Sequence, residues 1–95
     1  MKNDKIKKAA ALKYEARKDR APRLTAKGGG PVAERIIELA RQEGIPIQED
    51  ANLVGALMQL DLEEEIPVEL YKVVAEILAF VYRLNRRKME ARTHP

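Results

Sequence analysis

Few residues in this chain have the types and spacing that chemistry needs. Lys27-Gly28-Gly29-Gly30-Pro31 is a glycine-rich turn entering a helix, the setting in which backbone N–H groups at a helix N-terminus hold phosphate. It matches neither GxxxxGK[ST] nor GxGxxG, and Pro31 removes one donor, so the stretch reads as an ordinary βα turn. Glu63, Glu64 and Glu65 offer three adjacent carboxylates for acid/base or metal work, but no second ligand cluster stands at a defined spacing; a solvated loop beside a helix N-terminus is the reading. The aromatics are Tyr14, Tyr71, Tyr82 and Phe80, too few and too dispersed among charges for a nucleic-acid stacking platform. With no cysteine, thiol catalysis, disulfides and thiolate zinc sites are excluded. The single histidine, His94, is next to the last residue, which argues against a histidine metal site or triad. No catalytic group, cofactor site or metal site is predicted.

The elements that position these residues are well punctuated. Arg23 to Lys27 reads as a strand closed by three glycines. Pro31 suits a first helical position, and Val32, Ile36, Ile37, Leu39 and Ala40 form an apolar stripe over a helix from 31 to 43 that Gly44 ends. Ile45-Pro46-Ile47-Gln48-Glu49 alternates as a second strand, with Pro46 at its start or on an edge, so strand, helix and strand predict one right-handed βαβ unit. Asp50 caps a short helix carrying Leu53, Val54, Leu57 and Met58 on one face, and Asp61 to Glu65 is an acidic loop. Pro67 opens the longest helix, 67 to 85, on the stripe Leu70, Val73, Val74, Ile77, Leu78, Val81 and Tyr82. Residues 6 to 16 satisfy both a helix, by Ala/Lys/Leu propensity, and a strand, by the two-faced pattern of Ala9, Ala11 and Lys13 against Ala10, Leu12 and Tyr14. The fold class is therefore α/β: a small mixed sheet of about three strands packed with three to four helices.

Ninety-five residues hold one small domain. No run is long enough to span a membrane and the N-terminus lacks a signal-peptide core, so no direct membrane insertion is predicted. The net charge of +3 conceals a strong segregation. Residues 1–27 carry ten Lys/Arg against three acids, residues 28–82 three against eleven, and residues 83–95 five against one. Basic ends of this kind either fold back on the acidic body or bind an anionic surface or nucleic acid. Much of the clustering also fits the dipole of the last helix, with acids near its start and Arg83, Arg86, Arg87 and Lys88 near its end.

The ordered blocks Ala11-Leu12-Lys13-Tyr14-Glu15, Ala21-Pro22-Arg23-Leu24-Thr25-Ala26-Lys27-Gly28, Gly44-Ile45-Pro46-Ile47-Gln48-Glu49 and Glu65-Ile66-Pro67-Val68-Glu69-Leu70-Tyr71 resemble the cytoplasmic C-terminal domain of the FlhB/YscU family. Ala33-Glu34-Arg35-Ile36 and Val74 to Tyr82 extend the likeness to roughly residues 9–85, leaving a basic, flexible 1–8 and a basic, disordered tail at 86–95 as expectations. These are the export-switch proteins of flagellar and virulence type III secretion. The resemblance implies a small sheet surrounded by helices, joined in the family to a four-helix membrane domain. It also implies self-cleavage within an Asn-Pro-Thr-His motif, where an Asn side chain attacks its own carbonyl. Here Asp4-Lys5-Ile6-Lys7 stands at the matching positions, so self-cleavage is not expected, and Thr93-His94-Pro95 lies at the wrong end to replace it.

The family strand that precedes the cleavage site is also missing from the match. The segment Lys8, Ala9, Ala10, Ala11, Leu12, Lys13 and Tyr14, if a strand, would expose an edge that a partner's strand completes, the partner being the membrane-anchored part of an export-switch protein or another export-gate component. The family's patch for export substrates maps to Ala21, Pro22, Ala75 and Leu78, of which Leu78 is equally suited to the core. The expectation is a non-enzymatic, cytoplasmic accessory of flagellar export, peripheral at the membrane export gate and needing no cofactor. The alternative is a small basic nucleic-acid-binding domain.

Overall fold

The computed structural model describes residues 6–93. The strand reading of the N-terminal segment holds: β1, Lys8–Lys13, pairs antiparallel with β2, Arg23–Gly29. Tertiary pairing overrides the helical propensity of the Ala/Lys run because β1 pairs with β2 along one side at a register that hides Ala9 and half-hides Ala10 and Leu12. The register runs from Lys8 opposite Gly29 to Ala11 opposite Ala26, then slips so that Leu12 faces Leu24. Thr25 is the extra residue at this bulge, and its hydroxyl donates to the Ala11 carbonyl at 3.3 Å.

Helix α1, Pro31–Gln42, covers one face of the sheet. Pro31 occupies its first turn as predicted, and the chain leaves through Gly44 at φ 71°, a left-handed position suited to glycine. Its buried stripe is centred elsewhere than the sequence places it. Ala33 is fully buried, with Ile36, Ile37 and Ala40 half-buried, whereas Val32 and Leu39 are 53% and 41% exposed. Ala33 is small because α1 lies close to the sheet: a Cβ on Gly28 would come within 2.2 Å of Val32 Cγ1.

The other face carries the core. Leu24 and Val74, 0% and 1% exposed, sit at its centre with Ala21, Leu53, Leu57, Leu60 and Ile66, and Ala10, Leu12, Leu70, Ile77 and Leu78 pack against them. Helix α2, Ala51–Leu57, supplies Leu53 and Leu57, and its N-cap Asp50 accepts from Leu53 N–H at 2.9 Å as its sequence position requires. A 3₁₀ turn, Val68–Leu70, leads into α3, Tyr71–Thr93, which supplies Val74 and continues past the predicted end at residue 85. Among the described residues no helix is long and apolar enough to cross a membrane.

Among the described residues the predicted third strand and βαβ unit do not form. Residues 45–50 form no regular element, and the sheet has two strands. Pro46 lacks the ladder donor, and the free edge of β2 is taken at residues 22–24 by another segment. The acidic stretch 63–66 binds there instead: Glu63 N–H donates to Leu24 O at 2.6 Å, Leu24 N–H to Glu64 O at 3.0 Å and Ile66 N–H to Pro22 O at 2.9 Å, with Arg23 and Glu65 forming an antiparallel bridge. To make these bonds Glu63 adopts φ 70°, the left-handed region.

Candidate functional site

On the α3 side of the core an open cleft of about 450 Å³ separates α3 from the segment linking β1 to β2. Tyr71, Ala75, Leu78 and Tyr82 follow one another at four- and three-residue steps and so form one stripe along α3. Facing them are Ala21 and Pro22, fixed at the start of β2 because Pro22 O accepts from Ile66 N–H. All four residues assigned by resemblance line this one cleft. Their exposures differ: Ala21 and Pro22 are buried, Leu78 is half-buried against the core, and Ala75 is exposed.

The tyrosines were dispersed in sequence but converge here. Tyr14, Tyr71 and Tyr82, 40%, 45% and 64% exposed, all line the cleft together with Arg20, whose guanidinium lies 3.9 Å from Glu65. Two of them carried a sequence signal, since they stand three helical turns apart on the stripe that holds Ala75 and Leu78. Tyr14 had none, because the fold of the β1–β2 connection brings it in. The result is an apolar floor with phenolic rims, suited to an apolar peptide segment.

The second feature is the outer edge of β1. Gly30 N–H donates to Lys7 O at 2.8 Å, which marks Lys7 and Gly30 as a hydrogen-bonded pair. By alternation along the antiparallel register, Lys7, Ala9 and Ala11 turn their peptide groups toward β2, whereas Lys8, Ala10 and Leu12 turn theirs outward. Among the described residues β1 has no neighbour on that side. The predicted edge residues Lys8 to Lys13 therefore form one strand, and Tyr14 lies just beyond it, in the cleft.

Other candidates are occupied by structural work. Lys27 Nζ donates to Met58 O at 3.1 Å and Leu60 O at 2.5 Å, closing the C-terminal end of α2. Gly28 admits the close approach of α1, and the Gly30 amide is committed to Lys7, which leaves the glycine-rich turn as a βα connection. The three glutamates point to different partners: Glu63 to Arg23 at 3.5 Å, Glu64 to the Asp61 amide at 2.8 Å and Glu65 to Arg20. No group of three His, Cys, Asp or Glu able to hold a metal occurs among the described residues. Much of the N-terminal positive charge is also paired within the chain, with Lys13 and Lys18 on Glu15 and Arg23 on Asp19 at 3.1 Å.

Comparison with known proteins agrees with this architecture. The chain is 49% identical to protein YlqH of Bacillus subtilis over 80 residues, covering 84% of this chain and 86% of that protein. It is 46% identical to the flagellar biosynthetic protein FlhB of Yersinia enterocolitica over 83 residues, 86% of this chain but 22% of FlhB, so it spans about a fifth of that relative. The crystal structure of the cytoplasmic domain of FlhB from Shewanella putrefaciens superposes with a TM-score of 0.79 at 33% identity, covering 87% of this chain and 69% of that one. The model of the FlhB, HrpN, YscU and SpaS family matches residues 6–81, and the chain belongs to that family.

Proposed function

We propose that the protein is a non-enzymatic binding component of flagellar type III export, acting at the cytoplasmic face of the export gate in the role of the export-switch protein's C-terminal domain. The observation that carries this reading is the outward row of peptide groups at Lys8, Ala10 and Leu12, which a strand from the membrane-anchored part of an export-switch protein would complete. Copurification tests it. The full chain should associate with a membrane-anchored FlhB-type protein truncated before the matched segment; no association at micromolar concentrations overturns the proposal.

The cleft is the second surface of the same function. Its Ala21, Pro22, Ala75 and Leu78 floor and its three tyrosines suit an apolar segment of an export substrate. A nucleic-acid role finds less support, because Lys13, Lys18, Arg20 and Arg23 face the protein's own carboxylates and Lys27 binds its own carbonyls. A shallow salt dependence of any residual DNA binding is the corresponding expectation.

A further inference from the structure

We propose that α3 carries a self-complementary face through which two copies of the chain pair antiparallel, each seating the far half of its α3 in a groove of the other. The pairing does not depend on the export role proposed above. Its apolar part is a seam of Val73, Ile77, Phe80 and Leu84, which recur at the four- and three-residue steps of helices that pack side by side. The core takes only part of this seam. Val73 and Ile77 pack against the core from one side, and with Phe80, Gln48, Asp50 and Glu76 they line an open groove of about 450 Å³. Phe80 is 44% exposed, and Leu84, beyond the groove, is half-buried. Ala75 and Tyr82 each follow a seam residue by two positions, so the tyrosine cleft lies about 200° around the helix. The two surfaces are separate.

Charge is laid out along the same side. Glu76 and Arg83 stand seven residues apart, about two turns, with Glu69 a further two turns before and Arg87 one turn beyond. All four are exposed, and among the described residues none of them faces an opposite charge. The helix dipole accounts for acids at one end and bases at the other, but not for their alignment beside an apolar seam.

A second copy supplies the complement in one orientation only. Antiparallel pairing about a two-fold axis between Ile77 and Phe80 sets Phe80 of each copy over Ile77 of the other and Leu84 over Val73. It brings Glu76 beside Arg83 twice and turns Glu69 toward Arg87. Parallel pairing would set Glu76 against Glu76 and Arg83 against Arg83, which repel. Asp50 adds a second carboxylate to the groove that receives the basic half of the other helix. The paired stretch from Glu69 to Arg87 is about 27 Å long, and an interface of this size falls below about 1,200 Å², the range of transient complexes. Two-fold pairing closes at two copies and leaves both tyrosine cleft stripes on the outer sides of the paired helices.

Sedimentation equilibrium on the full chain tests this. A monomer–dimer equilibrium with a dissociation constant of about 10–100 μM is expected, and it should weaken as salt is raised. Glu76→Arg and Arg83→Glu should each weaken pairing by about tenfold or more, because each change makes two like-charge contacts per dimer. An equimolar mixture of these two variants should pair at least as well as the wild type, and the double variant should recover wild-type pairing. Phe80→Asp should be monomeric throughout and keep an unfolding midpoint close to wild type, since Phe80 is largely outside the core. A wild-type chain that stays monomeric up to about 1 mM overturns the proposal, leaving the groove to another polypeptide. A dimer indifferent to both charge reversals, as pairing through the β1 edge would give, also overturns it. Failure of the mixture to pair overturns the antiparallel register.

Discussion

Replacing Lys27 by methionine separates a structural lysine from a phosphate-binding one. Methionine keeps most of the aliphatic stem and removes only the ammonium. The Nζ group donates to Met58 O and Leu60 O, both at the exit of α2, where carbonyls have no helical partner. A hydrogen bond from a charged donor contributes about 1.5–3 kcal/mol net in a partly buried setting, and the two share one ammonium, so the loss should be about 2–4 kcal/mol. For a domain of this length, each kcal/mol corresponds to about 4–8 °C, which predicts a fall in Tm of about 8–32 °C. Urea unfolding followed by far-UV circular dichroism gives the free energy directly, with an unchanged m-value expected if two-state behaviour holds. A loss below about 1 kcal/mol refutes the reasoning. So does a rise in the wild-type midpoint on adding inorganic phosphate that disappears in Lys27→Met, because that is the signature of a bound anion.

Ala75→Glu should leave stability within about 0.5 kcal/mol, because Ala75 is exposed on α3, and should reduce export of substrates in a motility or secretion assay. Ala21→Glu should fail differently: at 2% exposure it places a charge in the core, so loss of soluble folded protein, read by denaturation, is expected rather than a clean binding defect. Gly28→Ala should destabilise by about 1–3 kcal/mol through its clash with Val32, and Val32→Ala in the same chain should recover part of it in a double-mutant cycle. Asp50→Ala should cost about 0.5–2 kcal/mol by removing the cap on Leu53 N–H, with faster amide exchange in α2.

The features legible in the sequence were those written in local chemistry. Asp50 as a cap, Pro31 as a helix opener and Gly44 at positive φ each express a constraint felt within a few residues. The αβ character and the stripe around Val74 followed from periodicity. What did not follow was pairing through the backbone. Residues 63–66 pair with β2 by main-chain bonds while the side chains of Glu63, Glu64 and Glu65 face water, so a run of glutamates records nothing of the strand-like role. The alternation of Ile45 and Ile47 was real, but a pattern specifies a strand's faces and not the presence of its neighbour. The cleft was half legible. Family resemblance placed four of its residues, and the tyrosines joined them only through the tertiary fold.

The two edges of this sheet are treated in opposite ways, and the contrast bears on function. The first residues of the β2 edge, 22–24, are sealed at a cost, since Glu63 holds a left-handed backbone of the kind that disfavours side-chain-bearing residues, by about 1–2 kcal/mol. Arg23 reinforces the seal by facing Asp19 and Glu63 at once. The β1 edge receives no such investment. It is six residues long, its centre is alanine, and exposed lysines stand at both ends. These are the means by which an open edge avoids indiscriminate pairing, because small side chains give a second copy little to bury and the lysines of two copies repel. A partner strand with apolar bulk at its centre and carboxylates at its ends escapes both penalties. Selectivity at this edge therefore comes from what β1 withholds, and substituting Ala10 or Ala11 by valine should trade that selectivity for self-association, measurable as a concentration-dependent rise in mass by light scattering.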